Sequence, residues 1–242
     1  MINERPLVAE LGDDKLSPYK KYLQIFVGQD SIGQFLKYEL LTALLAPFPG
    51  AIGYFLRGEC YRFLLAKVGK GTVIGKNVIL RCPRRISIGE KVMIDDGVVL
   101  DAKGTSSSIE IGDRILIGRN SVLSCSDSTI RMGNLISIGA FCTISSRSLI
   151  DIGSYVQIGT GTQLMAGSHT YDNPDTPTIL QERVSKGIKV EDSVWLGNAS
   201  IILDGVAIGR NSIIGAGSVV TKDVPPYSMV LGNPARVIQK RK

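Results

Sequence analysis

Large aliphatic residues recur every six positions late in this chain, at Val190, Leu196, Ile202, Ile208, Ile214 and Val220. Four places after each stands a small or β-branched residue: Val194, Ser200, Val206, Ser212, Ser218 and Val224. A period of six matches neither the 3.6 of a helix nor the 2 of a flat strand. It fits a triangular solenoid, in which each hexad supplies one short strand and one corner, and three hexads close a coil. Upstream the same step runs with its phase reset: Ile74, Leu80, Ile86; Ile88, Ile94, Leu100; Ile111, Ile117, Leu123; Met132, Ile138, Ile144; Ile152, Ile158, Leu164. Each reset follows a third hexad, so every insertion should leave the prism at one corner. That includes the Lys103–Ser108 loop and a long excursion from Gly167 to about Lys189. Seven coils at the strand spacing of about 4.8 Å would make a column roughly 30–35 Å long.

Glycine follows the aliphatic position at Gly89, Gly112, Gly197 and elsewhere, where a tight corner is expected to demand a backbone that other residues resist. The net charge of +6, with Lys240, Arg241 and Lys242 last, permits a polyanionic ligand or an acidic membrane surface. No interleaved basic and aromatic run points to nucleic acid. Cys60, Cys82, Cys125 and Cys142 lack CxxC spacing and read as free thiols. With no secretory signal in view, a cytoplasmic location is expected.

Residues 1–68 carry helical patterning instead of hexads. Asp30 or Ser31 is placed to cap a helix running to about Leu45, and the Pro47-Phe48-Pro49-Gly50 break precedes a second, from about Ala51 to Lys67. From Leu40 to Leu56 there is no charged residue, yet the stretch falls short of the roughly 20 apolar residues of a membrane span. It reads either as a cap on the first coil or as a monotopic membrane contact through residues 40–56. In the second reading Lys20, Lys21, Arg57, Arg62 and Lys67 lie near headgroups.

Several motifs narrow the reading: Gly167-Ser168-His169, Val194-Trp195-Leu196-Gly197, the run from Ile214 to Pro226, and Gly232-Asn233-Pro234-Ala235-Arg236. With the solenoid, they resemble the hexapeptide-repeat acetyltransferases. The resemblance is to the branch of maltose, galactoside and nodulation-factor O-acetyltransferases and related polysaccharide-modifying enzymes, over about residues 70–240. It implies a mainly β chain, a left-handed parallel β-helix over 69–230 with a catalytic loop at 167–189. An N-terminal helical segment, 1–68, would precede it and a basic tail, 231–242, would follow. It also implies a homotrimer with acetyl-CoA in a groove between neighbouring prisms. The handedness comes from the resemblance alone, since connections between parallel strands usually run the other way.

His169, the single histidine of the chain, matches the catalytic histidine of that family. A sugar hydroxyl is a poor nucleophile at neutral pH, and a neutral imidazole can take its proton as it attacks a thioester carbonyl. Asp172, Asp175, Glu182 or a backbone carbonyl could orient the ring, although Asp172-Asn173-Pro174-Asp175 reads equally well as a turn. By resemblance Trp195 and Asn198 line the pantetheine path, and Ala216, Gly217 and Ser218 let the arm of CoA approach closely. Thr221, Lys222 and Arg236 meet its nucleotide end, as suits a mobile point charge and a fixed fork. Packing alone would also account for Trp195, and a tight corner for Ala216–Ser218. Gln239 departs from the family by standing where several relatives carry a cation.

One histidine cannot supply a three-histidine zinc site, so no catalytic metal is expected. Nothing resembles a nucleophile elbow, which disfavours a covalent serine mechanism. The reading is an acetyl-CoA-dependent O-acetyltransferase acting on a carbohydrate of a surface polysaccharide or its lipid-linked precursor, at the cytoplasmic face of the inner membrane. An amino-sugar N-acetyltransferase, an antibiotic acetyltransferase or a non-catalytic trimeric scaffold are the alternatives.

Overall fold

The computed structural model describes residues 17–28 and 31–241. From Lys67 onward the chain winds into a parallel β-solenoid with three faces. The first face stacks seven strands, from Lys67–Val68 to Ala207–Ile208. The third is also seven deep, from Ile79–Arg81 to Val219–Val220. The second begins at Val73–Ile74 and reaches nine strands because a C-terminal hairpin joins it. Equivalent hexad residues sit above one another: on the first face Ile88 pairs in register with Ile111, and the ladder continues through Met132, Ile152, Val190 and Ile208. Every hexad aliphatic from Ile74 to Val220 is at most 4% exposed. The six-residue period is therefore the period of the core.

One phase differs from expectation. Ile86 does not close the first coil; it opens the strand Ile86–Ile88 of the second, while Val68, Ile74 and Leu80 make up the first. The extra residues Cys82–Arg85 form a short turn between third and first faces. With that shift, the insertions do share one corner, the third.

The small fifth positions point inward, and most of their hydroxyls are paired, the buried Ser200 Oγ being without a partner among the described residues. Ser121, Thr162 and Ser212 donate to the carbonyls of Gly139, Gly197 and Pro225 in the next coil, at 3.0, 3.0 and 2.9 Å. A buried hydroxyl is tolerated when it is bonded in this way. The four cysteines are free, and Cys82, Cys125 and Cys142 are buried. Burial pushes these three thiols up, Cys125 to about 12, which leaves them poor nucleophiles.

The corner glycines serve a different purpose from the one expected. None of Gly89, Gly112 or Gly197 has a positive φ; the left-handed residues of these corners are Lys91, Arg114 and Ala199, two places later. What excludes a side chain is the coil above. A Cβ at Gly112 would overlap the carbonyl oxygen of Gly133, and one at Gly89 the carbonyl of Gly112. Side chains then tie the corners together: Asp113 accepts from Glu90 N at 2.8 Å, Asn134 from Asp113 N at 2.8 Å and Asp192 from Ser154 N at 2.7 Å.

Helices cover the first coil. Helix α1 is Pro18–Tyr22, followed by a π-helical turn at Leu23–Val27; α2 is Ile32–Leu45 and α3 is Gly50–Cys60. Ser31 stands at the N-cap of α2 in extended conformation, while Asp30, the other candidate, lies outside the described residues, as do residues 1–16 of the N-terminal segment. α3 ends before Lys67, where the second helix was expected to reach. A 3₁₀ turn at Tyr61–Phe63 swings Tyr61, Leu64 and Leu65 into the core, and Lys67–Val68 is then claimed as a strand by Ser87–Ile88.

Arg57 also departs from expectation. Far from a headgroup site, it is fully buried, donating to the carbonyls of Leu45, Phe48 and Ile74 at 2.9, 2.6 and 2.9 Å. Its guanidinium thus pins the α2–α3 turn to the first coil. The basic end, expected as a tail, is ordered as well: Ser228–Gly232 adds to the second face and Ala235–Lys240 folds back antiparallel upon it. Lys242 lies outside the described residues.

Candidate functional site

The third corner builds the most elaborate loop of the solenoid. Strand Gln163–Ala166 ends the fifth coil, and Gly167, at φ 142°, releases the chain outward. Ser168–His169 then pairs antiparallel with Arg183–Val184, with His169 opposite Arg183. Thr170 N bonds the Glu182 carbonyl at 2.8 Å and extends the ladder. The excursion is therefore a β-arm, and it rejoins the prism at Ile188.

Two residues hold the arm in place. Gln181 Nε2 donates to the carbonyls of Asn173 and Thr176, both at 2.8 Å, closing the tip. Asp204, from the next passage through the same corner, accepts from Lys186 N at 2.9 Å and Gly187 N at 3.0 Å. Neither stood out in the sequence, because their partners are backbone groups that no spacing reveals. Asn173 accepts from Asp175 N at 3.0 Å, so the Asp172–Asp175 stretch is a turn.

His169 is half-buried beside an open cleft of about 150 Å³, walled by Ser145 and Met165 of the third face, the Arg147 corner and His169 itself. The aliphatic stem of Arg147 runs against Gly167; a Cβ there would sit 3.3 Å from Arg147 Cδ. Ser145, Arg147 and Met165 had no motif to mark them. His169 Nδ1 is buried with no hydrogen-bond partner among the described residues. Asp172, Asp175 and Glu182 are all exposed on the arm.

The other candidate residues sit one coil or more away. Trp195, 48% exposed, lies on the second face between Gln157 and Ile213. Asn198, Ala216 and Gly217 follow at the second corner in consecutive coils, joined where Gly217 N donates to the Asn198 carbonyl at 2.9 Å. The Asn198 side chain belongs to the corner ladder, accepting from Thr160 N at 3.0 Å. Ser218 turns inward, fully buried, and accepts from Gly232 N at 3.1 Å. Thr221 and Lys222 leave the third face exposed, and Arg236 is exposed on the hairpin opposite Leu231. Within one chain, then, the third face separates His169 from Trp195 and Asn198. Among the described residues no group of three or more His, Cys, Asp or Glu could hold a metal ion.

Prism, arm and corner spacing define a hexapeptide-repeat solenoid. Residues 187–222 match the family described as bacterial transferase hexapeptide (six repeats), and 66–102 match the hexapeptide repeat of succinyl-transferase. Both matches fall on parts of the chain, and both describe the six-residue repeat from which the prism is built.

Among its relatives, the galactoside O-acetyltransferase of Lactococcus lactis is 40% identical over 86 residues, 33% of this chain and 42% of that protein. A Schizosaccharomyces pombe protein classed as an acetyltransferase is 53% identical over 53 residues, 22% of this chain and 26% of its own length. The matched stretches thus span well under two thirds of these relatives. A point mutant of AntD, an N-acyltransferase from Bacillus cereus solved with dTDP and coenzyme A, aligns with a TM-score of 0.52 at 25% identity, over 81% of this chain and 91% of that one. The polysialic acid O-acetyltransferase OatWY shares the fold, with a TM-score of 0.55 at 24% identity over 72% and 82% of the two chains.

Proposed function

We propose that this protein transfers acetyl from acetyl-CoA to a sugar hydroxyl, with His169 as general base. The observation that carries the reading is His169 itself, set by the arm at the mouth of a cleft, with one ring nitrogen buried and the site open to an acceptor. His169 would take the hydroxyl proton as the oxygen attacks the thioester carbonyl. The C–O bond forms, the tetrahedral intermediate collapses, and the C–S bond breaks with CoA leaving as thiolate. With the buried thiols disfavoured as nucleophiles, direct transfer needs no acyl-enzyme.

Trp195, Asn198, Ala216 and Gly217 are proposed to line the path of the pantetheine arm. Thr221, Lys222 and Arg236 are proposed to meet the nucleotide end. Ser218 supports this surface from inside, through its bond to Gly232. The acceptor would enter past Ser145 and Arg147, as part of a surface polysaccharide or its lipid-linked precursor. Because the third face parts His169 from the donor residues, we read the working unit as a homotrimer in which one subunit's arm faces another's donor surface. Sedimentation is expected to find a trimer, and dilution to monomer should abolish coenzyme A binding and activity together. A fully active monomer would contradict the shared groove.

Replacing both Lys222 and Arg236 by alanine tests the donor side. Charged hydrogen bonds contribute about 1.5–3 kcal/mol each, so the acetyl-CoA KM should rise at least ~10-fold with the acceptor KM nearly unchanged. An unaltered donor KM places the nucleotide elsewhere. The AntD likeness supports a second reading, N-acylation of an amino sugar. Comparing matched amino and hydroxyl sugars as acceptors decides between them.

A further inference from the structure

Ile32, Leu36, Leu40 and Leu44 recur every four residues along α2, and the line continues through Phe48, Ile52 and Phe55 across the α2–α3 turn. Each of these side chains is between 43% and 69% exposed. The opposite side of α2 already has a partner, since Phe35, Tyr38, Leu41 and Leu45 pack on the core. Capping the first coil therefore uses one face of the helix and leaves the other bare. That bare stripe carries no charge from Leu40 to Leu56, and Arg57, the cation just beyond it, is turned inward and held by three carbonyls.

We infer that this stripe docks on the surface of a membrane rich in anionic lipid, lying in the interfacial layer. α2 has 14 residues, or about 21 Å, against a hydrocarbon core of about 30 Å. No helix among the described residues is long and apolar enough to cross a membrane. Charge selects lipid over a second copy of the chain. Between Ser17 and Lys70 the sequence holds seven lysines and arginines against three acidic residues. Two of those acids are engaged within the segment: Glu39 accepts from the Tyr22 hydroxyl, and Glu59 pairs with Arg62 at 3.0 Å. Lys20, Lys67 and Lys70 are exposed around the helices. A second copy would bring the same positive excess to the contact, whereas anionic headgroups bring its complement. Apolar side chains on one side of a helix and cations at its flanks are what an interfacial helix needs.

Flotation of the intact chain with vesicles tests this without any acyl transfer, so its outcome is separate from that of the catalytic reading. One set of vesicles contains phosphatidylglycerol and phosphatidylethanolamine, the other phosphatidylcholine alone. The variant carries Leu44→Asp and Phe48→Asp, both on the bare side, and its melting and sedimentation are compared with those of the intact chain. Expected is flotation of the intact chain with the anionic vesicles, weakened in high salt, and at least a tenfold lower bound fraction for the variant at unchanged oligomeric state. The inference is overturned if the intact chain stays with the soluble fraction. It is overturned equally if the variant floats as well, or if the substitutions alter only the oligomeric state, which would make a second copy the occupant.

Discussion

Replacing His169 by alanine is expected to lower kcat for acetyl transfer by about 10²–10⁴-fold, the range of a lost general base, while the solenoid stays folded and coenzyme A still binds. The separation follows from position. His169 lies on an arm outside the prism, where its ring contributes nothing to the hexad core, and the proposed donor residues occupy later coils. Steady-state kinetics with a defined acceptor, alongside calorimetry of coenzyme A binding, reads both halves. A near-normal kcat removes the histidine from the mechanism. Loss of coenzyme A binding with loss of rate would instead make His169 a structural support of the groove.

Arg57→Ala is expected to melt the helical cap by itself. The guanidinium joins α2, the turn and the first coil through bonds to Leu45, Phe48 and Ile74, and bonds from a charged donor contribute about 1.5–3 kcal/mol each. Freed carbonyls regain some water, so the loss should be about 3–5 kcal/mol, below the simple sum. In a solenoid each coil leans only on its neighbours. Damage at one end should therefore stay there. Hydrogen exchange should show residues 18–60 losing protection while the coils from Ile109 onward keep theirs. Arg57→Lys should rescue little, because an ammonium lacks the fork that reaches three acceptors. Uniform loss of protection along the chain would show that cap and prism fold as one unit.

Much of the prism could be read directly because a period is a local property. Each hexad carries its own buried aliphatic and its own small corner residue, and any three consecutive hexads close a coil whatever lies elsewhere. Most insertions broke the phase where they left the third corner, so their loops were legible as positions, whereas the Cys82–Arg85 turn kept six residues between Leu80 and Ile86 and hid itself in the period. What could not be read depends on groups brought together from far apart. The corner glycines make room for the next coil's backbone, about twenty residues away, and nothing beside Gly112 in sequence announces Gly133. Arg57 looked like a surface cation until its three carbonyl partners, from three separate segments, were in place. Asp204 and Gln181 position the arm through backbone groups. Ser218 resembled a groove residue, yet it occupies the inward fifth position of its hexad, and that periodicity could have shown it facing the core. His169 stood out for another reason, as the one residue of its kind, two places after Gly167 and at the start of the longest insertion.

A stack of parallel strands has two open ends, and each would be a template on which another molecule could continue the winding. The helices occupy one end. At the other, the chain reverses at Gly232–Ala235, and Ala235–Lys240 lies antiparallel along the last strand of the second face. A newcomer docking head to tail would meet a strand of the wrong direction, preceded by Pro234 and bearing Arg236 and Lys240, which natural sheets use to discourage edge pairing. The hairpin thus sets the length of the column, allowing lateral association of prisms while opposing growth into fibres.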